Sequence, residues 1–597
     1  AAVATSLLLS LSLVGFAAVP NRFRPVSARL SIPLSLSVGA LLTGWLVFVA
    51  GSLVGTWTAL PILGLLVALS LRKAREWLTS LRRVARHLVR LVSASPSGAL
   101  LLAVPILLLV PALLLPLVDS DGLRYHVALP KLFLMTGRVF RYPWDVTGNY
   151  PQTAEMLYML GLRLGGGETA KFIHTGFFLS SLAVLALAVH RGRSSRSAAL
   201  VAPFLFAVTP LAICPAPAAF IDHVALFHVA TATLLFARGR RALPVGLAAG
   251  AAFATKFTAL PGVAALALAV LGRSPVPRRR LAAAAVLLPA LVAFSPFAVR
   301  SLAATGDPIY PMGHGLLGIP IPGVSSSSRH FVTNYHAKTP GALGFAWDTA
   351  WGDVEPDDVV GWHHLFGFFA LALAVRRPEA RLFLPVVLPY VAVALFFHPY
   401  TRLLMPLFWG LAFFEASAVV LLARRMAPLA ALVLALPALL VSVPRSLFLG
   451  KPPLDYLRGR VDREPFLDAW IPGRRAARFV NAQPAGGKVM ALDFPAPFAF
   501  DRPWVAEGLL DQPPLKLWLD EGADEAHLVS RLRELDIRFV VVTPGYGGGT
   551  PASLLPLAES RPQAEALIGL RKRLQLLDSH DGVDVYAVNA PSPPSPP

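Results

Sequence analysis

Acidic, basic and aromatic residues gather where the apolar run 98–118 ends, and their types could support proton transfer and anion binding. The group comprises Asp119, Asp121, Arg124, Tyr125 and His126. Asp121, Arg124 and Tyr125 are three and four residues apart, which is the spacing of one helical face. A carboxylate can act as a general base, and a guanidinium can bind a phosphate through two hydrogen bonds. Asp119, Ser120 or Asp121 could equally cap a helix, and one acid could cap while the other does chemistry.

The composition indicates an integral membrane protein. The 597 residues are 55% hydrophobic and 15% charged, and the mean hydropathy of +0.60 is too high for a set of soluble domains. The net charge of +20 could suggest nucleic acid, but the basic residues lie in short clusters between apolar runs, which argues against a nucleic-acid partner. The single cysteine, Cys214, excludes an intramolecular disulfide and a multi-cysteine metal site.

Apolar runs long enough to cross a bilayer predict about fourteen spans. They lie near residues 1–19, 30–52, 54–71, 98–118, 168–190, 198–220, 222–237, 242–272, 281–303, 359–375, 382–398, 402–423 and 427–446. The 242–272 run is interrupted by "TKFTALPG", so we expect two short helices with Lys256 near the turn. With this count the basic clusters all lie on one face, which the positive-inside rule makes cytoplasmic.

The opposite, outer face receives the loops 119–167 and 304–358 and everything after residue 446. The loop 304–358 is long enough to close over a bound substrate. In the last part of the chain, "GGKVMALDF", "DIRFVVVTP" and "GVDVYAVN" read as strands and "DEAHLVSRLREL" as an amphipathic helix. The sequence therefore predicts four regions: extra spans with a basic cytoplasmic segment (1–97), a membrane core (98–446), a small α/β domain (447–590) and a disordered tail (591–597).

Several motifs in this order resemble the GT-C superfamily of membrane glycosyltransferases. "DGLRYHVALPKLFLMTGRVFRYP" resembles their first outer loop, particularly in the branch of lipid-A aminoarabinose transferases and protein O-mannosyltransferases. "NYPQTAEMLYMLGLRLGG", "FIDHVALFHVATATLLFA", "GLAAGAAFATKFTALPG", "RSLAATGDPIYP" and "HPYTRLLMPLFWGLAFF" resemble later segments. The family's loop begins with two adjacent acids. Gly122 stands at the second position here, and Asp119 could substitute for the missing acid.

The resemblance implies a polytopic α-helical membrane protein of about 13–14 helices with a small C-terminal α/β periplasmic domain. It also implies inverting transfer of a sugar from a polyprenyl-phosphate carrier to an acceptor glycan, lipid or protein at the outer face of the cytoplasmic membrane. Asp121 is the expected base, with Asp119 second. Donor-phosphate ligands are expected at Arg124, Lys256 and Arg402, and groups that position the acceptor or sugar at Tyr125, His126 and Asp222.

Other interpretations remain open at this stage. Lys256 could snorkel to the membrane surface, Arg402 could anchor a helix at the interface, and Asp222 could be a helix cap. A transporter or flippase, or a polymerase or ligase of lipid-linked sugars, would use similar substrates. No cofactor is certain: a divalent cation could bind Asp119 and Asp121, whereas "WHH" alone is a weak signal and predicts no zinc site.

Overall fold

The computed structural model describes residues 1–24, 27–190, 196–310, 313, 360–374, 383–397, 401–446, 451–484, 486–508, 512–543 and 554–588. The chain divides into two compact units. The first contains the described residues of 1–117, 151–298 and 335–460, and the second those of 118–150, 299–334 and 461–597. The predicted closure of 304–358 over a substrate falls mostly outside the described residues.

Helices make up most of the described chain. In order they are α1 (Ala2–Ala18), α2 (Ala28–Leu53), α3 (Ala59–Ser70), α4 (Ala74–Ser93), α5 (Pro96–Leu114), α6 (Ala128–Thr136), α7 (Thr153–Gly165), α8 (Glu168–Val189), α9 (Arg196–Ala207), α10 (Pro210–Ile213), α11 (Asp222–Ala237), α12 (Ala242–Phe253), α13 (Leu260–Arg273), α14 (Arg279–Thr305), α15 (His363–Ala374), α16 (Leu384–Phe397), α17 (Met405–Ala423), α18 (Ala427–Ser446), α19 (Lys451–Leu457), α20 (Arg463–Trp470), α21 (Arg474–Ala482), α22 (Pro514–Asp520), α23 (Glu525–Glu534) and α24 (Arg561–Arg573).

The protein is a multi-pass integral membrane protein. Within the described residues, six helical stretches are long and apolar enough to cross a bilayer, and seven shorter helices are also apolar. The six are Ala28–Leu53, Thr56–Ser93, Pro96–Leu114, Glu168–Val189, Val276–Thr305 and Arg402–Leu440. The prediction that residues 242–272 form two short helices is confirmed, because α12 ends at Phe253 and α13 begins at Leu260.

Close helix packing in the first unit depends on small residues. A Cβ atom at Gly15 would overlap the Ser35 carbonyl, and one at Gly39 would overlap the Leu11 carbonyl, so α1 and α2 approach at backbone distance. Gly246 and Gly250 likewise bring α12 close to the backbone of α14, where a Cβ at either position would lie less than 3.0 Å from a carbonyl oxygen. Small residues four apart are a common means of helix association in membranes, where no water drives apolar surfaces together.

The C-terminal part of the second unit contains a five-stranded sheet. Its strands are β1 (Lys488–Leu492), β2 (Trp504–Ala506), β3 (Ile537–Val542), β4 (Leu574–His580) and β5 (Val583–Val588), in the order β2-β1-β3-β5-β4. β1 is parallel to β2 and β3, whereas β5 is antiparallel to both β3 and β4. The predicted strands and the amphipathic helix between them are confirmed as β1, β3, β5 and α23.

Residues 118–150, which contain the first part of the predicted outer loop 119–167, belong to the same unit as this sheet. The Tyr142 hydroxyl donates to the Ala506 carbonyl over 2.9 Å and accepts from the Ala506 N–H over 2.7 Å. The Gly508 N–H donates to the Trp144 carbonyl over 3.0 Å, and the Trp144 and Trp518 rings pack edge to face with centroids 6.1 Å apart. Lys131 adds an ion pair of 2.9 Å with Asp501. Polar contacts at β2 and aromatic packing thus fix the loop on the sheet.

The contact between α1 and α2 provides a stability test. We expect Gly39→Leu to destabilise the protein by about 1–3 kcal/mol or more, since the new side chain must displace backbone atoms. Gly64→Leu is the matched control, because Gly64 lies on α3 and a Cβ there meets no atom within 4 Å. Thermal unfolding in detergent compares the variants. Equal stability of the two would contradict the close approach.

Candidate functional site

A buried ion pair lies at the break between α12 and α13. Lys256 occupies this break in an extended conformation, with φ of −155°. Its Nζ lies 2.6 Å from Oδ1 of Asp222, the first residue of α11. The Asp222 side chain is only 4% exposed and that of Lys256 17%. A lysine among apolar helices requires a partner or a cavity, and here it has both.

Arg402 brings a second positive charge to the same place. Its Cζ lies 4.6 Å from the centroid of the Phe220 ring, and its charge acts on the Asp222 carboxylate. Lys256, Arg402 and Asp222 line one narrow cleft, with a free volume of about 10 Å³, together with apolar side chains, which include Leu226, Val229, Leu403 and Pro406. Two cations against one acid leave the cleft with a net charge of +1, which suits an anion.

Asp119 has a local structural role in the first outer loop. Its Oδ2 accepts a hydrogen bond of 2.8 Å from the Gly122 N–H, so the capping interpretation is confirmed for this acid. The following residues, Gly122–His126, form a turn of π-helix closed by a 3.0 Å bond from the Val127 N–H to the Gly122 carbonyl. A single π turn departs from α spacing, so the sequence argument for one shared α-helical face does not hold here.

Arg124 is buried, with 8% of its surface exposed. Its charge acts on two buried carboxylates, Asp145 and Glu507. Asp145 Oδ1 accepts hydrogen bonds from the backbone N–H of Thr147 over 2.7 Å and from its hydroxyl over 2.5 Å. Glu507 accepts a short hydrogen bond from the Asp493 N–H. Arg124 therefore lies inside a network that joins the first outer loop to the residue after β2.

Burial perturbs both carboxyl groups of this network. Loss of solvation raises the pKa of Asp145, although the Thr147 hydrogen bonds and Arg124 oppose the shift. Loss of solvation raises the pKa of Glu507 to about 7, and its Oε2 is buried without a hydrogen-bond partner among the described residues. Burial thus favours the protonated form of both carboxyl groups.

The structure arranges the predicted site residues in two groups. Asp222, Lys256 and Arg402 come together in the first unit. Asp119, Asp121, Arg124, Tyr125 and His126 lie within a few residues of each other in the second unit, where the rings of Tyr125 and His126 are 4.2 Å apart and His126 is buried. Sequence reasoning missed Asp145 and Glu507, because no local pattern connects "PWD" with "VAEG".

Comparison with known proteins identifies the fold. No protein-family model matches the sequence, and no curated protein matches it. ArnT from Cupriavidus metallidurans, solved with undecaprenyl phosphate, superimposes with a TM-score of 0.52 at 14% identity, covering 83% of this chain and 99% of that one. The apo form of the same protein gives a TM-score of 0.52 over 83% and 98%. The chain has the GT-C fold.

The GT-C fold confirms the predicted fold class, a polytopic α-helical membrane protein with a small C-terminal sheet domain. The mycobacterial arabinofuranosyltransferase AftD also matches, with a TM-score of 0.43 at 17% identity over 83% of this chain and 42% of AftD. At these identities the likeness concerns the fold, and the chemistry of this chain has to be argued from its own residues.

The raised pKa of Glu507 predicts a pH-dependent stability. The folded state holds the Glu507 proton up to about pH 7, whereas an unfolded glutamate releases it near pH 4.3. The contribution of this proton to the free energy of unfolding is therefore complete below about pH 4.3 and is lost as the pH rises through about 7. We expect Glu507→Gln to remove a slope of up to about 1.4 kcal/mol per pH unit in that range. Hydrogen exchange of amides 486–508 in the full chain, followed from pH 4.5 to 8, measures it. The same slope in Glu507→Gln would contradict the assignment.

Proposed function

We propose that this protein is an inverting membrane glycosyltransferase that moves a sugar from a polyprenyl-phosphate carrier to an acceptor on the outer face of the cytoplasmic membrane. The observation that carries the proposal is the cleft of Asp222, Lys256 and Arg402. It combines a net positive charge with apolar walls in a membrane protein of GT-C fold. An anionic head attached to an apolar chain has the complementary chemistry.

Lys256 and Arg402 are the proposed ligands of the donor phosphate. When the anomeric carbon–oxygen bond breaks, its electron pair goes to the phosphate oxygen, and nearby cations stabilise the developing charge. Asp222 neutralises part of the cationic charge in the free protein and holds Lys256 in place through the 2.6 Å contact. Support also comes from ArnT, whose solved structure contains undecaprenyl phosphate.

Asp121 is the proposed general base. It takes the proton of the acceptor hydroxyl or amine while the acceptor atom bonds to the anomeric carbon from the side opposite the phosphate, which inverts that centre. Asp119 is the weaker candidate, since one of its oxygens accepts from the Gly122 N–H. A divalent cation at Asp119 and Asp121 stays a prediction, as do the positioning roles of Tyr125 and His126.

Arg124 was predicted to bind the donor phosphate, and that role also stays a prediction. Its burial beside Asp145 and Glu507 favours a positioning role instead. An arginine attracted to two carboxylates restrains the backbone of its own turn, and that turn begins directly after Asp121.

The role of Asp121 can be tested by transfer of radiolabelled sugar from a polyprenyl-phosphate donor by the purified full chain. Asp121→Asn should lower the rate by about 10²–10⁴-fold while donor binding persists, because the amide cannot accept the proton. Asp581→Asn is the matched control, as Asp581 is an exposed turn residue with φ of 54° that asparagine can adopt. Unchanged transfer by Asp121→Asn, or movement of intact donor across a bilayer without bond cleavage, would contradict the proposal.

The donor cleft can be tested without leaving an unpaired buried charge. Lys256→Gln alone leaves the buried Asp222 carboxylate without its ion-pair partner. Breaking a buried ion pair in this way costs about 3–5 kcal/mol of stability. The double variant Lys256→Gln/Asp222→Asn removes both charges and retains hydrogen-bonding groups. We expect it to fold and to weaken donor binding by about 10-fold or more, since one phosphate ligand loses its charge. Lys73→Gln, on the surface of the first unit, is the control. Wild-type donor affinity in the folded double variant would refute the assignment.

A further inference from the structure

Three ionisable side chains that do not line the cleft described above meet inside the apolar helices of the first unit. His363 and His364 begin α15, and Glu415 lies in the middle of α17. Both imidazoles and the carboxylate are at most 1% exposed. One potential ligand atom from each residue lies within 4.8 Å of the others. Ionisable groups buried among membrane helices are costly and usually have a function.

We propose that His363, His364 and Glu415 form a site for a divalent transition-metal ion, with zinc as the best fit. Two imidazole nitrogens and one carboxylate oxygen are a common three-ligand set for Zn²⁺, which leaves a fourth position open. Imidazole-rich sites favour late first-row metals over Mg²⁺ and Ca²⁺, which prefer oxygen ligands alone.

The hydrogen bonds of His363 leave one nitrogen available for a metal. Its Nε2 lies 3.0 Å from the Leu205 carbonyl, which can only accept, so Nε2 carries the proton of the neutral ring. Nδ1 then has a free lone pair, and it is buried without a hydrogen-bond partner among the described residues. A backbone carbonyl that fixes the tautomer in this way is the usual outer support of a metal-binding histidine.

The contact between His364 and Glu415 has two possible hydrogen-bond arrangements. If the Thr209 hydroxyl donates to His364 Nε2, Nδ1 carries the proton and donates to Glu415 Oε1. The other arrangement leaves room for a metal ion. His364 Nδ1 lies 2.6 Å from Glu415 Oε1, and His364 Nε2 lies 2.9 Å from the Thr209 hydroxyl. The Thr209 hydroxyl also lies 3.0 Å from the Leu205 carbonyl and can donate there. In that arrangement His364 Nε2 donates to Thr209, so Nδ1 and Oε1 face each other as acceptors. Either a proton or a metal ion must join them.

Two glycines keep the space around these atoms open. A Cβ at Gly367 would collide with Oε1 of Glu415, and one at Gly361 would lie 3.2 Å from Nδ1 of His363. Glu415 Oε2 is also buried without a hydrogen-bond partner within the described part of the chain. His363 Nδ1 and Glu415 Oε2 thus each offer a lone pair without a hydrogen-bond partner among the described residues, next to backbone that carries no side chain. This arrangement fits a metal site better than ordinary core packing does. Tetrahedral zinc separates its ligand atoms by roughly 3.4 Å. Side-chain rotation therefore has to widen the 2.6 Å contact between His364 Nδ1 and Glu415 Oε1 by about 0.8 Å and to narrow separations of up to 4.8 Å by up to about 1.4 Å.

The metal content of the purified full chain tests this inference, and that measurement does not depend on transfer activity. After removal of metal with a chelator and dialysis against zinc, the wild type should hold about one zinc ion per chain by elemental analysis. Glu415→Gln and His364→Gln should lose it. His228→Gln is the matched control, because His228 is another buried membrane-helix histidine and bonds only Ser37 among the described residues.

Gly367→Ala provides a variant that removes no ligand. Its methyl group displaces the Glu415 carboxylate, so we expect zinc affinity to fall by about 10-fold or more, whereas the same substitution at exposed Gly272 should change nothing. Loading with Co²⁺ gives an independent signal, since tetrahedral Co²⁺ absorbs visible light strongly. A folded wild type that binds neither metal, or ligand variants that retain wild-type stoichiometry, would overturn the proposal and leave a shared proton as the link between His364 and Glu415.

Discussion

The contact between Lys256 Nζ and Asp222 Oδ1 is the interaction on which the proposed chemistry depends. It places a positive charge at the break between two short helices, inside a protein whose composition is dominated by apolar residues. A single charge in that setting would be costly, whereas a pair with a third charge nearby is stable and still attracts an anion. The helix break, the start of α11 and Arg402 therefore serve one electrostatic arrangement.

The same constraint explains the other buried charges. Lys171 on α8 donates to the carbonyls of Ala112 and Leu115 over 3.1 and 2.7 Å, which satisfies backbone groups left open where α5 ends. The charge of Arg124 acts on two buried carboxylates in the second unit. His364 and Glu415 share a proton or a metal ion. Lys171, Arg124 and Glu415 thus each interact with groups that are distant in sequence.

Local patterns were sufficient to predict much of the fold. The break at "TKFTALPG" follows from a run too long for one span, and β1, β3 and β5 follow from apolar segments bounded by turns. β2 has only three residues and β4 directly follows α24, so neither has boundaries that a sequence pattern marks. Glu507 and Glu415 were missed for another reason: their partners are far away along the chain, and only tertiary packing brings them together.

We propose that a lipid phosphate binds between Lys256 and Arg402. A cryo-EM map of the full chain in lipid nanodiscs with polyprenyl phosphate tests this binding. We expect phosphate density in contact with the Lys256 ammonium and the Arg402 guanidinium, with the isoprenoid chain along Leu226, Val229 and Pro406. A polyprenyl phosphate ordered elsewhere, with no phosphate density at Lys256 and Arg402, would contradict it.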